Sequence, residues 1–489
     1  MTHRFIFPLR SALLPLVAAL AIAGCASAPT QAPEPLTPPS QFKEQAPGAP
    51  RWVAAAPAEA QARGAWWLVF GDPSLTALVE RAGEHNTSIQ EAAARLAQAH
   101  ALLRQADADR LPQVGLNASS SRQAGANTVG GTSPAALHTA GASVSYELDL
   151  FGRLAGASTA AALDAQARDA LLQSTRLAVQ TDTAQTYLAL RALDAEIALV
   201  RGTVDAYQDT LRLTERRFQA GDIAELDVER VRTEVASTEA DAFALDRRRA
   251  ALEHALAALV GDAASSFSVP VTTWTTALPT IPAGVPATVL TRRPDVSAAQ
   301  SSLMAAQARL GVVRTAWFPD IALTANGGYA STDIGDLLKW SSRAWGVSAL
   351  LSLPIFDGGR RDAAVQGARA QLDAAGASYR GQVLVAFREV EDQLSSLRLL
   401  HDQAEAQARA VRSAQSATAM SDTRYRNGYV SQLDLLDARR SELSNRRQAL
   451  QVRASQYDAT VGLIRSLGGD WGPLPAIPTS YALTGHRRN

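Results

Sequence analysis

Apolar residues between Leu190 and Leu211 recur at alternating steps of three and four: Leu190, Leu193, Ile197, Val200, Val204, Tyr207 and Leu211, with Phe218 seven further on. The same rhythm returns in Val383, Phe387, Val390, Leu394 and Leu397. A strict step of seven links Leu436, Leu443, Leu450, Tyr457 and Ile464. Such spacing keeps one stripe of a helix turned toward a partner, so these stretches predict coiled-coil arms. Gly221 and Gly428 interrupt the pattern, and glycine suits the left-handed position that ends a helix. Asp222-x-x-Glu225 and Ser431-x-x-Asp434 then read as capping boxes for the return arms. The outgoing arm from Asp357 to Asn427, about 70 residues at about 1.5 Å each, predicts a rod on the order of 100 Å long. That exceeds what a globular domain needs and suits a device that crosses a compartment.

Elsewhere the period falls to two, as in a strand with one apolar face. Ser143 to Leu150 carries Val144, Tyr146, Leu148 and Leu150; Trp345 to Ile355 carries Trp345, Val347, Ala349, Leu351, Leu353 and Ile355. Gln113 to Ser120 and Asp320 to Gly328 alternate more weakly and predict their partners. Gly-, Ser- and Thr-rich loops separate them, at Ser121 to Gly141 and Tyr329 to Arg343. Each strand pair follows a helix, Leu75 to Arg110 and Pro294 to Ala316, that stops short of a proline.

These elements are written twice. Pro319 follows Pro112 by the same interval, 207 residues, that separates Gly428 from Gly221. Two distant landmarks sharing one offset indicate duplicated domains. The predicted organisation is a first repeat over 66–265, a Pro-rich linker over 266–286, a second repeat over 287–467 and a tail over 468–489.

Composition narrows the class. The 489 residues carry 47 Lys+Arg against 47 Asp+Glu, so no basic surplus marks a nucleic-acid partner. At 47% hydrophobic, the chain has material for a large core. One cysteine excludes intramolecular disulfides, and the seven histidines show no metal-ligand spacing. That cysteine ends a secretory pattern: Arg4 and Arg10, an apolar run from Ser11 to Ala23, then Ile22-Ala23-Gly24-Cys25. Residues 1–24 read as a lipoprotein signal, Cys25 as the lipidated residue, and 25–65 as a Pro/Ala-rich tether. Ala26, where an Asp would favour inner-membrane retention, suggests outer-membrane sorting. Beyond Cys25 no run of 18 apolar residues occurs, so no transmembrane helix is predicted.

Four alternating strands cannot close a barrel, which needs about eight. An open edge in lipid would leave backbone groups unpaired at several kcal/mol each. Either the strands are soluble hairpins packed on helices, or several chains pool them; three chains would give twelve. Tyr329, Trp340 and Trp345 at strand ends suit an interfacial girdle.

Several segments resemble the outer-membrane efflux factor family in its lipoprotein branch, the TolC-like proteins of OprM and NodT type. They are Trp66-Trp67 with Phe70-Gly71-Asp72-Pro73-Ser74-Leu75; Tyr146-Glu147-Leu148-Asp149-Leu150-Phe151-Gly152-Arg153; Arg292-Arg293-Pro294-Asp295-Val296; Phe318-Pro319; and Pro354-Ile355-Phe356-Asp357-Gly358-Gly359-Arg360. The resemblance covers nearly all of the chain after Cys25. It implies a mainly α fold with membrane β: duplicated helical hairpins plus four strands per chain, assembled as a homotrimer. The trimer's 12-stranded outer-membrane β-barrel continues into a periplasmic α-barrel. The implied function is the exit duct of a tripartite pump, with a periplasmic adaptor and an inner-membrane transporter of the resistance-nodulation-division type as partners.

Site residues follow from the same resemblance. Gly221 and Gly428 become the adaptor-docking tips, a role compatible with ending a helix. Asp434 and Asp437 fall at the family's acidic constriction, with Leu433 and Arg440 where the branch places a gating leucine and an arginine. Tyr425 and Asp227 match a tyrosine–aspartate contact between neighbouring hairpins. Complementarity to the helix N-terminal dipole is the plainer account of the acids, worth about 0.3–1 kcal/mol each. Arg230 stands at the first-half position equivalent to Asp437, so only the second hairpin would supply that acid.

Other classes fit less well. A periplasmic adaptor lipoprotein would carry one hairpin flanked by many β segments. An enzyme would need a nucleophile elbow, a phosphate loop or a clustered acid pair, and none is present. A duct for type I protein secretion is the nearest competitor. No cofactor is expected beyond the lipid on Cys25.

Overall fold

The computed structural model describes residues 42–44, 65–124, 134–279 and 292–469. The signal segment, Cys25, most of the tether, residues 280–286 of the linker and 470–489 of the tail lie outside the described residues.

The first half runs α1 (Pro73–His85), α2 (Thr87–Ala108), β1 (Gln113–Gln123), β2 (Ala135–Glu147), α3 (Arg153–Gln219) and α4 (Glu225–Leu259). The second runs α5 (Pro294–Arg314), β3 (Asp320–Ser331), β4 (Arg343–Ser352), α6 (Arg360–Arg426) and α7 (Gln432–Ser466). The outgoing arms α3 and α6 each have 67 residues and the return arms α4 and α7 each have 35. None of the four contains a proline, which would break the backbone ladder, and each runs as one continuous helix.

The first leading helix is not continuous. Asn86 breaks it with extended backbone, and its side chain accepts hydrogen bonds from the N–H groups of Ser88 and Ile89, so it caps α2. Local capping there outweighs the apolar pattern that runs through the break.

The predicted stripes are packed: Leu190, Leu193, Ile197, Val200, Val204 and Tyr207 on α3, Val383, Val390 and Leu394 on α6, and Leu436, Tyr457 and Ile464 on α7 are buried, and Leu443 packs on Leu193, Ile197, Val200, Ala242 and Leu245. Phe218 is exposed instead. It lies in the last turn of α3.

The joints between strands and helices explain several of the sequence motifs. Asp149 accepts hydrogen bonds from the N–H groups of Leu154 (3.1 Å) and Ala155 (2.7 Å), and Glu147 accepts from Arg153 Nε at 3.0 Å. The carboxylates thus seal the β2–α3 turn. In the second half Asp357 accepts from the Gly359 N–H (3.1 Å) and from Arg361 Nε (2.6 Å). Phe151 and Phe318 stack at 4.7 Å beside these turns. Arg293 reaches Asp295, Glu389 on α6 (2.6 Å) and the Ser466 carbonyl on α7 (3.3 Å), pinning the start of α5 to both helices.

The four strands form one antiparallel sheet, ordered β1-β2-β3-β4. The strands are shifted away from the helices relative to the sequence pattern: β2 begins at Ala135, inside the stretch read as loop, and ends at Glu147, short of Leu150, while β4 ends at Ser352, short of Ile355. The two hairpins join through β2 and β3, where Gly141 faces Gly328. A Cβ on Gly141 would sit 2.6 Å from the Gly327 carbonyl oxygen, so this seam needs glycine.

The registers sort side chains onto two faces. One face carries Val114, Leu116, Val144, Tyr146, Ile321, Leu323, Trp345, Val347 and Leu351. The other carries Gln113, Asn117, Ser119, Thr139, Ser143, Thr324, Asn326 and Ser348, with Leu137 and Leu350 as its larger apolar members. The apolar face is bare in the single chain, with Leu116 88% and Trp345 80% exposed. Among the described residues β1 and β4 are edge strands without a second partner. No helix among the described residues is long and apolar enough to cross a membrane.

Candidate functional site

The far ends of the two helical hairpins bring together most of the residues singled out from the sequence. Both outgoing arms end alike. Gly221 and Gly428 have φ of 79° and 77°. The N–H of Asp222 reaches the Arg217 carbonyl and that of Tyr429 the Arg424 carbonyl, both at 2.9 Å. This is the Schellman closure, which satisfies carbonyls that the helix end leaves over.

The return arms begin differently. Ser431 caps α7: its Oγ and its N–H both donate to Asp434 Oδ2, at 2.7 and 3.0 Å, while the Asp434 N–H donates to Ser431 Oγ at 3.3 Å. These bonds, the Ser431 hydroxyl first, hold the Asp434 carboxyl below its ordinary pKa. The predicted partner box, Asp222-x-x-Glu225, does not form. Ala224 is the N-cap of α4 and no side chain caps it. Asp222 belongs to the closure of the preceding helix, which leaves it two residues ahead of the N-cap.

One turn into the return arms the halves diverge again. Asp227 pairs with Arg230 at 3.5 Å. The equivalent positions in α7 are Asp434, committed to its cap, and Asp437, exposed beside it. Leu433 is also exposed. Tyr425 is buried, with the Arg217 guanidinium over its ring at 5.6 Å. Its hydroxyl meets no hydrogen-bond partner among the described residues. Within this chain Tyr425 and Asp227 are therefore not bonded to each other.

Arg440 lies across to the first hairpin. Its Nε donates to Glu234 Oε2 at 2.9 Å and its Nη2 to Glu234 Oε1. That hydrogen bonding keeps the guanidinium firmly charged. Arg439 beside it donates to the Ala206 carbonyl (3.3 Å), to Thr210 and to Asp422 (3.1 Å). Gln432 donates to Thr214 Oγ1 at 3.0 Å. One heptad above Arg440, Arg447 joins Glu196 (2.8 Å) and Asp241 (3.0 Å). The apolar set Tyr207, Val231, Val235 and Leu436 packs between these bonds. Polar residues thus lace α7 to α3 and α4 on either side of one apolar seam.

Sequence reasoning missed Glu234, Arg439 and Gln432. A usable signal was present: Gln432, Arg439, Arg446, Arg453 and Thr460 repeat every seven, four residues before each seam position. A polar second seam marks a register-specifying interface. Among the described residues no group of three or more His, Cys, Asp or Glu could hold a metal ion.

Comparison with known proteins agrees with this architecture. The model of the outer membrane efflux protein family matches residues 78–262 and 285–469, one stretch per half. The solvent efflux pump outer membrane protein SrpC of Pseudomonas putida is 33% identical over 410 residues, 82% of this chain and 86% of that protein. The cation efflux system protein CusC of Escherichia coli K12 is 30% identical over 459 residues, 94% of this chain and 99% of that one. The solved outer-membrane channel OprN superposes with a TM-score of 0.84 at 29% identity, covering 91% of this chain and all of that one.

Proposed function

This chain belongs to the outer membrane efflux protein family, and on that premise we propose how it serves as the outer-membrane exit duct of a tripartite efflux pump. Three copies pool their sheets into a twelve-stranded barrel, each β4 pairing with the next copy's β1. The apolar face meets lipid and the polar face lines the lumen. Below the membrane the hairpins stand side by side as a tube through the periplasm. Cargo passes down its gradient, and energy enters from an inner-membrane transporter of the resistance-nodulation-division type. A periplasmic adaptor docks on the turns at Gly221 and Gly428. Asp437, with Asp434 beside it, rings the narrow end in three copies, where focused negative potential favours cations. Cys25 carries the lipid that holds the tether to the membrane.

The supporting observation is the sheet: it has two open edges, one apolar face and one polar face, and it sits on two proline-free 67-residue helices. An edge left open in lipid is costly, so closure with further copies is the economical solution. Relatives named for solvents and for cations point to small toxic compounds as the cargo class.

The test is extraction from outer membranes, mass measurement without denaturation, and conductance in planar bilayers. A conducting trimer is expected. A lipidated single chain that conducts nothing would refute the duct.

A further inference from the structure

The apolar face of the sheet does not end in apolar residues. At the end away from the helices it carries Arg122 on β1, in line with Val114, Leu116 and Ala118, and Arg343 on β4, in line with Trp345, Val347 and Leu351. Both arginines are exposed. Among the described residues no carboxylate pairs with either of them. The acids of the adjoining turn are engaged elsewhere: Asp336 with Lys339 at 2.5 Å, and Asp333 with the Gly335 N–H at 2.8 Å. His138 on β2 lies on the same face near the same level. The Arg343 guanidinium lies over the Trp340 ring at 4.2 Å, and that indole is itself 73% exposed. From Arg343 to Leu351 is about eight residues at about 3.3 Å each, which, tilted, matches the apolar band of a membrane barrel.

We propose that Arg122 and Arg343 form a binding surface for phosphate-bearing lipid headgroups of the outer leaflet. The proposal rests on the trimeric duct. With β4 of one copy beside β1 of the next, each subunit seam sets Arg343 near the partner subunit's Arg122 on the lipid side. Like charges on adjacent strands repel, and a bridging phosphate relieves that repulsion. Guanidinium forks match phosphate oxygens. The exposed indole of Trp340 and the apolar band below fit the lipid's chains and glycerol or sugar level. Three seams give three sites around the rim.

The purified trimer is loaded with diphosphoryl lipid A, with the same lipid stripped of phosphate, or with phosphatidylcholine. Retained lipid is then read on the trimer peak by native mass spectrometry. The wild type should keep the diphosphoryl lipid preferentially. Arg122→Gln with Arg343→Gln should lose it about 25-fold, two cations at a factor of about five each. The double lysine variant should recover part of the binding, having charge without the fork. Equal retention of all three lipids by the wild type overturns the proposal, as does displacement by inorganic phosphate alone or full retention by the glutamine variant. Absence of a trimer peak refutes the duct itself, whereas a trimer indifferent to phosphate removes only the lipid site.

Discussion

Arg440 and Glu234 join the second hairpin to the first through a two-point hydrogen bond, with Nε on Oε2 at 2.9 Å and Nη2 on Oε1. Glu234 is nearly buried and Arg440 half exposed, at 12% and 54% of the side chain. Removing the arginine therefore strands a buried carboxylate, at a cost of about 1–3 kcal/mol. Arg440→Ala and Glu234→Gln should each loosen the tip and raise single-channel conductance in planar bilayers. The charge-swapped pair Arg440→Glu, Glu234→Arg should return conductance toward wild type. Conductance unchanged in both single variants would remove this pair from the gate.

Asp434 and Asp437 are separable. Asp434 is tied to Ser431, whereas Asp437 is exposed and outside the cap. Asp437→Asn should lower cation selectivity, measured as a shift in reversal potential across a salt gradient. Asp434→Asn should act mainly on order at the tip, read as faster amide exchange at the start of α7. If Asp434→Asn shifts the reversal potential and Asp437→Asn only loosens α7, the two roles are exchanged.

Gly221 and Gly428 face open space, with nothing within 4 Å of an added Cβ. Their constraint is backbone conformation alone, at about 1 kcal/mol for alanine in the left-handed region. Gly428→Ala should cost only that in thermal unfolding. Gly221→Asp with Gly428→Asp should keep the trimer yet abolish adaptor pull-down. Retained capture of the adaptor would place the docking surface elsewhere.

Asp295 supplies a pH dependence. Burial would raise its pKa, but Arg293, the Val296 N–H and the Gln382 amide together outweigh burial and hold it low. A depressed carboxylate stabilises the folded state fully above the ordinary aspartate value near about 3.9. That contribution disappears as pH falls through the lower folded value. Thermal unfolding should therefore show an acid-side loss of stability that Asp295→Asn flattens. An identical acid slope in the variant would show that the Arg293 cluster is not responsible.

Gly141→Val should block the joining of the two β-hairpins, because the added Cβ meets the Gly327 carbonyl at 2.6 Å. The expected result is loss of heat-modifiable trimer in outer-membrane fractions while the helical signal in circular dichroism persists. Normal trimer yield would mean that the β2–β3 seam tolerates bulk.

The long arms, the four strands and the position of both tips were legible from periodicity and two glycines. Three features escaped for physical reasons. Asn86 caps α2 inside an unbroken apolar pattern, so local hydrogen bonding overrode the stripe. Asp222-x-x-Glu225 has the letters of a capping box, yet its first residue is already consumed by the preceding turn. Glu234 carries no pattern of its own. Its importance depends on Arg440, 206 residues away, and only the packing of one hairpin on the other reveals it.

The uninterrupted α3 runs from the Glu147–Arg153 joint beneath the sheet to the Gly221 turn at the other end. It is one continuous helix without a proline, the residue that most often bends a helix. In the proposed duct, a partner that turned the tip would load the β2–α3 joint at the base of the sheet, so movement at one end would be felt at the other.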